Sequence, residues 1–288
     1  DIDACRNIFD IQGYDSMTDR YIGICSQDSG GIVGDLANRQ DLTPSLTADA
    51  YKVGKLNGVD GFYVARMGYT DRVGAAAGTG LTIHTTTAAG NFLIPKSRLN
   101  SGSISANFDN RYQQITISST TGVVAGDSFT IAGINAVNLI AQNQDTNIKK
   151  DTGQLKTYRV MEVVNGTQLI ISPAIISGQG GTDAEKQYQN CVNTAPVTNA
   201  AITFLNTRAT NINPFWIKDS ILLVPGYLPK EETPGASRLY DTTEQGIQLT
   251  IEKAYSLATR TYEYRVDCFF GVNILNPEMA GILLFNQV

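Results

Sequence analysis

Apolar residues recur along this chain with two different periods, and the change from one to the other divides it. At the start, DIDACRNIFDI puts Ile2, Cys5, Ile8 and Phe9 at spacings of three and four, the period of one helix face, and predicts a helix. GGIVGDLANRQDL (Gly30 to Leu42) and LTADAYKVGKLNG (Leu46 to Gly58) repeat that spacing on either side of Pro44 and predict two short helices with a breaker between them. GYTDRVGAAAGTGLTIHTTTAAGNF (Gly68 to Phe92) is small, polar and glycine-rich, and reads as a linker into a different module.

From about Leu81 to Pro173 the period is two. YQQITISS (Tyr112 to Ser119) and GDSFTIAGI (Gly126 to Ile134) alternate, and YRVMEVVNGTQLIISPA (Tyr158 to Ala174) is two alternating runs joined by Asn165-Gly166. That dipeptide predicts a hairpin with a type I′ turn, whose two central residues need positive φ. Asn165-Gly166-Thr167 is also a glycosylation sequon, but the turn explains it without sugar. The segment predicts a small antiparallel barrel or sandwich. ISGQGGTDAEKQYQNCVN (Ile176 to Asn193) is a second polar link, with a helical turn possible inside it. Beyond it AITFLNT, FWIKDSILLVPG, GIQLTIEKA and TYEYRVDCFFGV are strand-like. The last stretch, FFGVNILNPEMAGILLF, predicts two strands turning at Asn276-Pro277, the first continuing from TYEYRVDC, with its apolar face inside the chain's own sheet.

These patterns predict an α+β domain made of residues 1 to 70 and 196 to 288, interrupted by a β module over 71 to 195. The charge distribution follows the same division. Of the chain's 22 basic and 27 acidic side chains, residues 71 to 195 hold 9 and 8, leaving 13 and 19 outside, so the acidic excess belongs to the outer domain. At 288 residues, with 42% hydrophobic and 17% charged residues, the chain can bury sizeable cores. Its net charge of −5 and the absence of any Lys and Arg cluster argue against tight DNA binding. No apolar run reaches the ~18 residues of a membrane span. There is no signal peptide pattern, and no initiator Met, so the start of the protein is expected to be missing from this sequence.

Candidate chemistry adds little. Cys5, Cys25, Cys191 and Cys268 lack metal-site spacing; an even count permits two disulfides, but the wide spacing reads better as buried reduced thiols. His84 is the only histidine, set in LTIHTTT with no neighbouring carboxylate, and is expected on the surface or half-buried rather than as a base. No G-x-S-x-G elbow occurs. Gly74, Gly78 and Gly80, like Gly178, Gly180 and Gly181, are not followed by the Lys-Ser or Lys-Thr of a phosphate loop. Asp183 and Glu185 read as a solvated face. Neither an enzyme activity, a cofactor nor a metal is expected. NPFWIKDS carries the one Trp, and Phe215 with Trp216 can either fill the core, the default reading, or anchor a contact between subunits.

Several stretches together resemble one family. They are DLANRQDL, ADAY, GVDGFYVARMGYT, DNRYQQITISSTTGVVAGDSFTIAGINAV, YRVMEVVNGTQLIISPA, NTRATNINPFWIKDSILLVPG and YRVDCFFGVNILNPEMAGILLFNQ, in that order from Asp35 to Gln287. The chain resembles the major coat protein of short-tailed, double-stranded DNA phages, whose subunit carries an extra β-domain.

The resemblance implies the capsid fold of tailed phages and herpesviruses, with axial and peripheral domains and an inserted antiparallel β-barrel. The family's N-terminal arm, extended loop and most of its spine helix would precede Asp1. It further implies a virion shell built from pentamers and hexamers, assembled in the host cytoplasm with a scaffolding protein and a portal complex. That shell matures as double-stranded DNA is packaged without tight specific binding, and no membrane is involved. A loop of the inserted domain that reaches a neighbouring capsomer would match KSRLNSGSISANFDNR. This makes Lys96, Arg98, Asp109 and Arg111 candidate intersubunit contacts beside Phe215 and Trp216, with a solvated hairpin tip as the alternative. The rival from another class is a β-rich surface adhesin, a glycan-binding module, which would show aromatic platforms and repeats.

Overall fold

A computed structural model describes residues 2–15, 17–29, 55–59, 61–85, 111–142, 148–177, 188–192, 196–227, 236–244 and 246–287. The chain forms two compact units, Asp1–Lys218 with Asn276–Val288, and Asp219–Leu275. Among the described residues one α-helix, α1 (Ile2–Gln12), precedes 17 strands. The first unit opens with β1 (Arg20–Cys25), β2 (Lys55–Val59), β3 (Phe62–Met67) and β4 (Arg72–Val73). It continues with β5 (Gln113–Thr116), β6 (Ser128–Gln142), β7 (Lys149–Val163), β8 (Gln168–Ser172), β9 (Ile202–Phe204), β10 (Thr210–Asn211) and β11 (Asn213–Ile217). The second unit holds β12 (Ile221–Pro225), β13 (Ala236–Thr242), β14 (Gln248–Ser256), β15 (Thr261–Cys268) and β16 (Phe270–Ile274). The chain then returns to the first unit through a 3₁₀ turn, Pro277–Met279, and β17 (Ala280–Leu283).

The first sheet has the order β17-β11-β1-β3-β2, with β1 parallel to β3 and the other pairs antiparallel. Alternation sends Ile22, Ile24, Phe62, Val64, Phe215 and Ile217 to one face, where they meet Cys5 and Phe9 of α1. Phe9 is packed edge-on against Phe215, ring centroids 5.3 Å apart. The predicted helix period is therefore realised, with Cys5 and Phe9 buried and Ile8 left outside. Arg20, buried at 1% exposure, reaches back from β1 to Asp10 of the helix at 2.7 Å. The last strand closes over the same core: Leu283 and Phe285 pack against it, and a Cβ on Gly281 would lie 2.4 Å from the Phe215 ring. Only glycine fits there.

The second sheet has the order β5-β8-β7-β6-β9, all antiparallel. Its core gathers Ile83, Ile115, Ile117, Phe129, Ile131, Tyr158, Val160, Leu169 and Ile171. Leu81 to His84 hydrogen-bonds to both edges of this sheet. The His84 N–H donates to Thr116 O and the Ser118 N–H to Thr82 O on the β5 side, while the Ile202 N–H donates to Leu81 O on the β9 side. The chain reaches this sheet from β3 through β4 and leaves it through β10, and these two short strands pair antiparallel as a neck. Asn206, fully buried, fastens the neck: its Nδ2 donates to Gly74 O and to Asp127 Oδ1, and its Oδ1 accepts from the Ser128 N–H.

In the second unit β13, β14 and β15 form a three-stranded antiparallel sheet, and β12 pairs with β16. The β13 segment, ASRLYDT, was not among the strand-like runs predicted.

Three sequence expectations change. The helices of Gly30 to Leu42 and Leu46 to Gly58 lie outside the described residues, except that Lys55–Val59 is a strand antiparallel to β3. Short apolar spacings of three and four over few residues do not separate the two states. The β7–β8 hairpin forms, but neither Asn165 nor Gly166 has positive φ. Instead the Asn165 side chain closes the loop, its Oδ1 accepting from the Thr167 and Gln168 N–H groups. At the end of the chain the turn does fall at Asn276-Pro277, with Asn276 capping the 3₁₀ turn through Glu278 N. The strands on its two sides part, however: β16 pairs with β12, and β17 pairs with β11. The run from TYEYRVDC is also broken at Phe269.

Candidate interaction surfaces

Lys96, Arg98 and Asp109 lie outside the described residues. Arg111 is half-buried, with its guanidinium 5.6 Å from the centroid of the Tyr112 ring. Phe215 belongs to the chain's own core. Its neighbour in sequence points to the opposite face, as strand geometry requires. Trp216 there stacks on Tyr21 at 5.9 Å, and Tyr21 stacks on Tyr63 at 5.5 Å. The row follows from register, since Tyr21 is paired with Trp216 on one side and with Tyr63 on the other. No sequence pattern links these three residues, which lie on three separate segments. Each ring covers the face of the next, so the row offers edges outward, unlike a platform that lays a ring flat against a sugar.

In the second unit, apolar side chains are exposed along one face of the sheet. Register puts Leu239, Ile251 and Val266 in one cross-strand line on β13, β14 and β15, with Tyr255, Tyr262 and Tyr264 on the same face. Leu239 and Val266 are 63% and 64% exposed. Lys253 lies 4.6 Å from the Tyr262 ring centroid and 5.6 Å from that of Tyr264. The other face is polar, with Arg238 paired to Glu252 and Thr250 buried.

Among the described residues chemistry-bearing groups do not converge. His84 is exposed on its strand segment. Among the described residues no three metal-ligating side chains lie together, and no helix is long and apolar enough to cross a membrane. All four cysteines are free; Cys5, Cys25 and Cys191 are buried as expected, but Cys268 is exposed because its strand, β15, turns that residue to the open face. Burial pushes the Cys5 thiol up to about 11 and Cys191 up to about 12, which leaves both protonated and unreactive near neutrality.

One buried polar cluster had no sequence signal. Glu278, from the 3₁₀ turn beside the first sheet, reaches Lys156 of β7 at 2.5 Å, and Lys156 is 3% exposed. Its other oxygen accepts from Asn190 Nδ2 at 3.0 Å. Asn190 is itself fixed, donating to Ala174 O and accepting from the Ile176 N–H. The partners are separated by 122 and 88 residues in sequence, beyond any local pattern.

A solved structure described as the CUS-3 coat protein I-domain matches with 34% identity over 44% of this chain and 95% of that one, with a TM-score of 0.29. The family model described as P22 coat protein, gene protein 5, matches residues 18–286, nearly the whole length. A coat protein is a structural component of the virion capsid. The chain belongs to the P22 coat protein family.

Proposed function

We propose that this chain is the structural subunit of an icosahedral phage capsid, assembling into pentamers and hexamers that form the shell around packaged double-stranded DNA. The family match over residues 18–286 carries the reading. Assembly takes place in the host cytoplasm on a scaffolding protein, with a portal complex at one vertex, and is followed by maturation of the procapsid. The acidic outer domain suits this role. A lumen wall without phosphate-neutralising patches does not hold the packaged DNA.

In this reading residues 71–195 are the inserted antiparallel β-barrel, between the parts 1–70 and 196–288 of the capsid core. The segment Leu81 to His84, bonded to both edges of the second sheet, supports closure into a barrel. Lys96, Arg98, Asp109 and Arg111 are assigned to its contact with a neighbouring capsomer, and Trp216 to a contact between subunits. The exposed apolar face of the second unit fits a subunit that leaves area for neighbours to cover. Many modest contacts repeated by symmetry hold a shell while allowing correction during growth. The stacked edge-on tyrosines do not favour a glycan-binding adhesin.

The test is electron microscopy of the chain co-produced with a scaffolding protein. Closed shells of uniform diameter, or rings of five and six, are expected. Strictly monomeric protein, or discrete trimers and fibres, would refute the reading.

A further inference from the structure

The second sheet is tied to the first at places far apart in sequence. The neck of β4 and β10 is one, fastened by Asn206 and Asp127. A second is at the end of α1, where Asn138 Nδ2 of β6 donates to Ile11 O at 2.9 Å, and the positive φ of Gly13 lets the chain turn against the Asn138 side chain. The third is Glu278, held by Lys156 and Asn190.

These ties differ in kind. The neck and the Asn138 contact are hydrogen bonds among neutral backbone and amide groups, apart from Asp127. The third depends on one carboxylate placed against a buried ammonium. Lys149, at the start of β7, and Tyr158, on the same strand, also feel the Glu278 charge, as do Tyr14 beyond α1 and Cys191. Removing the carboxylate's charge would strand Lys156 unpaired at 3% exposure, whereas exchanging the two charges would keep the pair. The turn that carries Glu278 leads directly into β17, so the same carboxylate also fixes where the last strand enters the first sheet. Asn276, capping that turn, donates through Nδ2 to the Tyr14 hydroxyl at 3.4 Å and so ties it to the end of α1 as well.

We propose that Glu278, Lys156 and Asn190 form a clasp that locks the second sheet to the first, and that its opening frees the Pro277–Met279 turn and β17 from the second sheet while both sheets stay folded. Glu278 and Lys156 are positioning residues: they hold the turn that precedes β17 against β7. The clasp is a local device of the folded chain and does not rest on the capsid reading.

Hydrogen exchange resolved by residue tests it on the whole chain. In Glu278→Gln, which keeps shape and loses charge, amides of β17 and of Asn190 and Val192 are expected to exchange at least tenfold faster. Amides inside β6, β7 and β8 should stay within about twofold of the parent. The exchanged pair, Glu278→Lys with Lys156→Glu, keeps the ion pair but gives Asn190 Nδ2 no acceptor, and should recover part of the lost protection of β17. Parent-like exchange in Glu278→Gln would overturn the clasp. So would a uniform rise across both sheets, which is global destabilisation, or a folded exchanged pair whose β17 is no better protected than in Glu278→Gln.

Discussion

Gly281 carries a constraint that its sequence context does not announce. In GILLF it looks like an ordinary flexible spacer, yet the Phe215 ring occupies the place of its missing side chain. Gly281→Ala forces that ring into a filled core, and overpacking of this kind costs about 1–3 kcal/mol. Thermal unfolding should show a clear drop in Tm, whereas alanine at Gly153, where the space is open, is disfavoured only by its positive φ. Residues of the apolar periods, such as Cys5, Phe9, Ile115 and Phe129, were legible because their burial follows from spacing alone. Asn206, Asn213 and Asn190 were not. An amide reads as loop until its partners are known, and Asn213, with no exposed surface, donates to Leu283 O and Asp28 Oδ2 from segments remote in sequence.

At the scale of elements, the long alternating strands of the second sheet could be read from the sequence, since a period of two over many residues leaves little choice. Turn chemistry was harder. Asn-Gly indicated the hairpin correctly and the turn type incorrectly, because the Asn165 side chain supplies the loop's hydrogen bonds and removes the need for positive φ. The difference can be measured. Gly166→Ala should leave Tm nearly unchanged, as no φ barrier and no neighbour opposes a methyl group there. Asn165→Ala loses the acceptor for two backbone N–H groups and should cost about 1 kcal/mol. A type I′ turn would give the opposite order. Lys55–Val59 and Ala236–Thr242 escaped prediction because one is short and mixed in pattern, and the other lies in a charged stretch whose apolar positions, such as Leu239, face outward.

For the whole molecule, the four thiols report on separate parts. Cys5 lies on α1 against the first sheet, Cys25 in β1 of that sheet, Cys191 in the core of the second sheet and Cys268 on the second unit. At pH 8 under native conditions a thiol reagent should modify Cys268 at once and leave Cys5 and Cys191 untouched. Raising the pH toward 10 should not release those two while the fold persists, because burial holds their folded values at about 11 and about 12, above the ordinary 9.0. A group raised on folding stabilises the native state below its unfolded value, and that contribution is lost as pH climbs from the unfolded value to the folded one. With increasing denaturant, Cys5 and Cys191 should become reactive together if the two sheets of the first unit unfold as one. Mass spectrometry of the labelled peptides would record the order. The capsid family was legible in the sequence; the aromatic row and the buried clasp were not, since each joins strands that no local window contains together.

The register of the first sheet also bears on how the protein is made. Tyr21 and Trp216, paired across β1 and β11, are 195 residues apart in sequence. A ribosome adds residues at about 5–20 each second, so β1 emerges at least several seconds before its neighbour exists. Through that interval Ile22 and Ile24 have no β11 to pair beside, and the nascent chain carries an unfinished, sticky ribbon. Rapid synthesis, lower temperature or a holdase should therefore decide the yield of soluble protein more strongly than any change to the finished fold.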